Sequence, residues 1–169
     1  MANSTLVGLL FEAWGDLDRV VTDLTSEEAL DRVSGGSSYA WTYAHLGNML
    51  DGWINARFQG HPPNELIGDP RFRMGGSGEA DDWAGIQRAM GEVRAAARGY
   101  LVLLADSDLD RTIPYDGSFA ELHAVGLQLR YARYRLITHH YFHIGEIASK
   151  RDQRGRSVGD YPGLLLDAL

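Results

Sequence analysis

Cysteine is absent from this chain of 169 residues, which removes disulfides, thiolate metal sites, iron–sulfur clusters and a cysteine nucleophile of its own. Lysine is nearly absent too: Lys150 stands alone among 16 basic residues, a bias that reads as genomic composition rather than function. No apolar run approaches the ~20 residues of a membrane span. Met1–Ser4 lacks the charged start and apolar core of a signal peptide, so a soluble cytoplasmic protein with no membrane partner is expected. Proline is scarce (5), and 20 glycines with 44% hydrophobic residues fit a globular chain rather than a disordered one. Basic charge is in deficit, 16 Lys+Arg against 23 Asp+Glu for a net charge of -7. Such a chain repels a phosphate backbone unless its cations gather on one face. Arg130, Arg133 and Arg135 are neighbours in sequence, but a helix points them apart, so nucleic acid is disfavoured as a partner.

What is present is helical periodicity. The length suits one domain, residues 1–169. Leu6, Leu9, Leu10, Ala13, Trp14, Leu17, Val20, Val21 and Leu24 recur at intervals of three and four and predict a first long helix over residues 4–24. Thr25 and Glu28 have capping-box spacing, which predicts a short helical turn over Ser26–Leu30 before Gly35 and Gly36 interrupt it. Ser37 or Ser38 can cap a second long helix that runs to about Phe58 and stops at Gly60, with Pro62 and Pro63 behind. Residues 60–80 read as a long surface connection, of a length more often functional or mobile than accidental.

Asp81 or Asp82 caps a third helix with the stripe Trp83, Ile86, Met90, Val93, Ala97, Tyr100, Leu101 and Leu104, ending near Asp106. Asp116–Gly117 between apolar residues suggests a small hairpin over 112–119, which Pro114 confines to an edge or an irregular loop. Ser118 and Glu121 repeat the capping-box spacing. Beyond them Leu122, Val125, Leu129, Ala132, Leu136, His139, His143 and Ile147 define the inner face of a fourth helix reaching Lys150, about 30 residues and about 45 Å long. After a loop over 154–163, Pro162 can start a last short helix through Leu164–Leu166.

The chemistry concentrates in Thr138–Ile147. His139 and His143 are four apart, on one helical face and close enough to share a cation. Helical histidines are often simply buried and satisfied, but Leu136 and Ile147 put this pair on the core side, where a shared ion would satisfy both rings. His45, inward on the second helix among Tyr39, Trp41 and Tyr43, is the natural candidate for a third nitrogen ligand; as a lone residue it reads more often as a satisfied core histidine than as a ligand. His140 lies about 100° round the helix from His139 and reads as flanking or surface. His123 is out of phase as well, and His61 belongs to the loop.

The segment Ala40–Leu46 around His45, followed by H-x-x-x-H-x-G-E/Q at His139–Glu146 and a closing Asp160-Tyr161-Pro162-Gly163-Leu164-Leu165, resembles the DinB/YfiT-like superfamily over essentially the whole chain. The resemblance implies an all-α, up-down-down-up four-helix bundle with a short C-terminal helix, commonly a homodimer. It implies a divalent metal held by His45, His139 and His143 at the bottom of an open cavity. Many members carry arginine after the last histidine and glutamine two residues further on; here these are Ile144 and Glu146, so an arginine contact at that place is lost.

Three imidazoles leave coordination positions open, as catalytic sites do. Zinc or nickel suits the nitrogen set, with iron if Glu146 turned inward. Relatives in the resembling family include transferases and isomerases that use a low-molecular-weight thiol, and others described as metal-dependent hydrolases. A thiol-dependent S-transferase acting on a small-molecule substrate is therefore the leading expectation. A metal-dependent hydrolase and a non-catalytic metal-bearing bundle are its rivals. Arg135, one turn before His139, is the candidate contact for an anionic group, or else a salt bridge to a neighbouring helix. Asn48 is placed to orient a water at the centre or to hold a packing hydrogen bond. Tyr134 and Tyr131 are candidates for the cavity wall, and Glu146 for a hydrogen-bond acceptor behind the ligands or a solvent-facing residue.

Overall fold

A computed structural model describes residues 2–32, 35–159 and 162–163. The expected last helix at Leu164–Leu166 and most of the closing motif lie outside the described residues. The described residues are mostly helical, with one two-stranded ladder and an isolated bridge between Arg32 and Ser38 among them. Helix α1 (Ala2–Val21) buries Leu6, Leu10, Ala13, Trp14, Leu17, Val20 and Val21, the stripe that its spacing predicts. It ends three residues earlier than expected. Thr25 then starts α2 (Ser26–Leu30) through a complete capping box, with Glu28 N donating to Thr25 Oγ1 at 3.2 Å and Thr25 N to Glu28 Oε2 at 2.9 Å.

Ser38 caps α3 (Tyr39–Leu50), its hydroxyl accepting from Trp41 N at 3.1 Å. The helix continues as a π-wound segment, Asp51–Phe58, whose wider winding the sequence periodicity did not separate from α-helix. It stops at Gly60, which takes φ +77, a left-handed conformation that glycine adopts without a Cβ penalty. Residues 61–80 are an ordered strap. Asn48 Nδ2 donates to Ile67 O at 2.7 Å, and Trp41 Nε1 to Arg71 O at 2.8 Å beside the 3-10 turn Pro70–Phe72. Helix α4 (Trp83–Leu101) is capped by Asp82, whose carboxylate accepts from Gly85 N at 2.8 Å.

The largest departure from expectation precedes the last long helix. Helix α5 is Leu129–Gln153, not a helix from Ser118. Residues 120–122 form a 3-10 turn, and Leu127–Gln128 (β2) pairs antiparallel with Thr112–Ile113 (β1), in register Ile113 with Leu127. The hairpin expected inside 112–119 is therefore absent there, its first strand pairing further along the chain. Gly126, at φ +79, carries the chain so close to β1 that a Cβ would stand 2.6 Å from Ile113 O. A helix through Val125 cannot coexist with that ladder. Val125, expected on an inner face, is 69% exposed.

Helix α5 is the central element: α1 packs along it, and α3 packs against both it and α4. Its buried residues accordingly fall on two faces, one through Ala132, Leu136 and His143, the other through Arg133, Ile137, His140 and Ile144. This corrects the placing of His140 at the surface. Its ring is fully buried because the face 100° from His139 also meets a neighbour. The neighbouring arginines diverge: Arg130 pairs with Asp110 at 3.0 Å, Arg133 is buried, and Arg135 faces solvent. Among the described residues no helix is long and apolar enough to cross a membrane.

Candidate metal centre

Helix α3 brings His45, and α5 brings His139 and His143, to one point. One ring nitrogen from each of the three lies within 4.8 Å of the other two. The ring centroids are 5.0 Å (His45 to His139), 5.2 Å (His45 to His143) and 4.6 Å (His139 to His143) apart. The nitrogens left free to bind an ion are set by the bonds of the others. His45 Nδ1 donates to Phe72 O at 2.7 Å, and His143 Nδ1 donates to Glu146 Oε2 at 2.7 Å. Each bond selects the tautomer whose Nε2 carries a free lone pair. His139 differs, since its Nδ1 is buried with no hydrogen-bond partner among the described residues.

The donor set fits a divalent ion. Nitrogen–metal distances of about 2.0–2.1 Å place neighbouring ligand nitrogens about 3.0–3.4 Å apart, and His143 Nε2 and His139 Nε2 are 3.0 Å apart. Burial first, then the neighbouring imidazoles, pushes His139 down to about 3, and burial lowers His45 as well. Both rings are therefore neutral at physiological pH, the form that binds metal. Trp41, one turn before His45, stacks on its ring at 4.9 Å and 8°, and fixes the plane in which its nitrogens lie.

Glu146 accepts from three donors. Besides His143, Ser37 Oγ reaches its Oε1 at 3.1 Å and Lys150 Nζ bonds the same oxygen. The His143 hydrogen bond first, with Lys150 assisting, holds this carboxyl at about 2. It stands behind His143, with 30% of its side chain exposed.

The remaining sequence candidates are more dispersed. Asn48 is half-buried, with its amide committed to Ile67 O at 2.7 Å. Arg135 is exposed, its guanidinium 5.6 Å from the centre of the Phe119 ring, and it has no carboxylate partner among the described residues. Tyr134 is half-exposed, as is Tyr131, whose ring lies 6.2 Å from Trp53. Three contributors went unread in the sequence: the Phe72 carbonyl, Ser37 and Lys150. Only Lys150 left a signal, its spacing of four from Glu146.

A family model of the DinB superfamily matches residues 9–147. Among solved structures, the chain is similar to a conserved protein from Enterococcus faecalis. The two are 16% identical with a TM-score of 0.62, the match covering 86% of this chain and 92% of that one. At that identity the likeness speaks for the fold alone. A search of curated proteins returns no match.

Proposed function

This chain belongs to the DinB superfamily, and on that premise we propose that it is a metal-dependent enzyme, an S-transferase that joins a low-molecular-weight thiol to a small electrophilic substrate. The observation that supports this best is the triad itself, in which His45 and His143 have their Nδ1 atoms bonded to Phe72 O and Glu146 while the ligating nitrogens face a common point. His45, His139 and His143 would hold the ion. A divalent ion there, zinc or nickel ahead of iron, supplies Lewis acidity and lowers the pKa of a thiol brought to it.

The chain's own residues do the rest. Having no cysteine, the protein must borrow its thiol. Arg135, exposed one turn from His139 and without a carboxylate partner among the described residues, binds an anionic group of thiol or substrate. Tyr134 lies on the same exposed side of α5 and offers a phenol to the same ligand. Asn48 steadies the strap over α3 through Ile67. In this reading the four long helices form an up-down-down-up bundle over one domain, the protein works as a cytoplasmic homodimer, and its partners are small molecules.

The test is elemental analysis of untagged protein beside His45→Ala and His143→Ala, followed by thiol consumption assays with electrophiles. About one ion per chain, lost in both variants, with thiol consumption that needs the ion, supports the reading. No ion after reconstitution with zinc, nickel or iron removes the enzyme reading. Stoichiometric ion with ester or amide cleavage and no thiol consumption makes the protein a hydrolase instead.

A further inference from the structure

The chain's single lysine is not on the surface. Lys150 is on the last part of α5, seven residues after His143, with its side chain 12% exposed. An ammonium has three N–H donors, and three acceptors surround this one. They are Ser37 O at 2.8 Å, Ser37 Oγ at 3.1 Å and Glu146 Oε1. Ser37 immediately precedes Ser38, the cap of α3, and Ser38 N in turn donates to Gly78 O at 2.8 Å. The lysine thus touches at once the carboxylate behind one candidate ligand and the backbone that starts the helix bearing another.

We propose that Lys150 is a positioning residue for the three-histidine centre, clamping the Glu146 carboxylate where it receives the His143 Nδ1–H and tying α5 to the start of α3. This rests on the metal-centre reading above. Glu146 has freely rotating bonds and a third of its side chain open to solvent, so without the clamp its carboxylate can swing away and leave the His143 ring free to turn or change tautomer. Ser37 helps from the other side, its hydroxyl 3.1 Å from Glu146 Oε1. The clamp also fixes the separation of the two half-sites, because its ends lie 113 residues apart, one on α5 and the other in the backbone that leads into α3.

Charge alone predicts the opposite effect. An ammonium near the centre repels a divalent cation, so its removal would tighten metal binding if electrostatics ruled. Positioning predicts weakening. That difference in sign makes the proposal testable, and an ordinary exposed ion pair on a helix would move neither quantity by much.

The experiment measures Zn2+ affinity of the full chain by competition with a chromogenic chelator, for the parent, Lys150→Met and Lys150→Arg, with thermal unfolding recorded beside it. Lys150→Met is expected to bind zinc about 10- to 100-fold more weakly, the range for loss of a group that orients a ligand, and Lys150→Arg to recover most of that loss. Equal or tighter binding by a folded Lys150→Met overturns the proposal and leaves the metal centre standing. A parent that binds none of zinc, nickel and iron overturns the metal-centre reading, and this one with it.

A second readout needs no ion. In long-range 1H–15N spectra of the metal-free protein, His143 should show a protonated Nδ1 in the parent and a mixture of tautomers in Lys150→Met; an unchanged spectrum counts against the clamp. If Lys150→Met does not fold, Ser37→Ala takes its place, with several-fold weaker zinc binding expected and unchanged binding overturning the proposal.

Discussion

Replacing His140 with leucine separates the acid lability of one buried ring from everything else in the core. The ring is fully buried within the bundle; Nδ1 donates to Leu136 O at 2.8 Å, and Nε2 has no hydrogen-bond partner among the described residues. Burial pushes its pKa from 6.5 down to about 3. The sign follows from proton counting. Between those two values the unfolded chain holds a proton on His140 that the folded chain refuses, so stability falls as pH drops below about 6.5 and the loss is complete near pH 3.

At pH 4.5, two units below the unfolded value, the loss is about 3 kcal/mol. Leucine does not titrate, and it also removes a buried acceptor left without a partner, a defect of about 1–3 kcal/mol. The Leu136 carbonyl keeps its helical bond from the backbone of residue 140. His140→Leu is therefore expected to be at least as stable as the parent at pH 7.5. Urea unfolding at pH 7.5 and 4.5, with chelator present, gives four free energies. Between the two pH values the parent should lose about 3 kcal/mol more than the variant, with equal m-values. The other titrating groups are common to both chains and cancel in that difference. Matching pH slopes in parent and variant would refute the reasoning.

Three further outcomes are expected. The Arg151 guanidinium, almost wholly buried, donates to Val20 O at 3.1 Å and Arg156 O at 3.1 Å and pairs with Asp23 at 2.6 Å. Because Asp23 is half-exposed, Arg151→Met should cost about 2–3 kcal/mol and lower Tm by about 5–10 °C, and calorimetry showing no change would contradict this. Gly60 has open space around it and φ +77, so Gly60→Ala should lose only the left-handed conformational penalty, about 1 kcal/mol in urea unfolding. If Arg135 binds the anionic group, Arg135→Ala should raise KM for an anionic thiol about tenfold while Tm stays constant; the reverse pattern would make Arg135 a structural residue.

Two pairs with the same spacing show how far local sequence reaches. Thr25 and Glu28 form the capping box their positions announce, whereas Ser118 and Glu121, equally spaced, start no α-helix. Nothing within four residues tells them apart. The second pair lies just before Gly126, where the chain turns in left-handed backbone to lay Leu127 against Ile113, a partner fourteen residues back. A non-local ladder overrules a local cap. His140 was misplaced for a related reason, because reading one apolar stripe along α5 assumes one buried face, and a helix held between α1 and α3 has two.

The candidate site divides along the same line. His139 and His143 share a helix, so spacing alone places them together, and helical phase turns His45 inward. The groups that fix those rings belong to other elements. Lys150 passes for compositional chance until the fold sets it against Ser37, just before the cap of α3, whose two oxygens accept its hydrogen bonds. The acceptor for His45 is harder still to foresee. It is the carbonyl of Phe72, a group every residue carries, brought there by a strap whose course depends on Asn48, Ile67 and the Trp41–Arg71 bond. A backbone atom has no letter of its own in the sequence. The ligands of a helical metal centre can thus be read from periodicity, and the bonds that set their tautomers only from the fold.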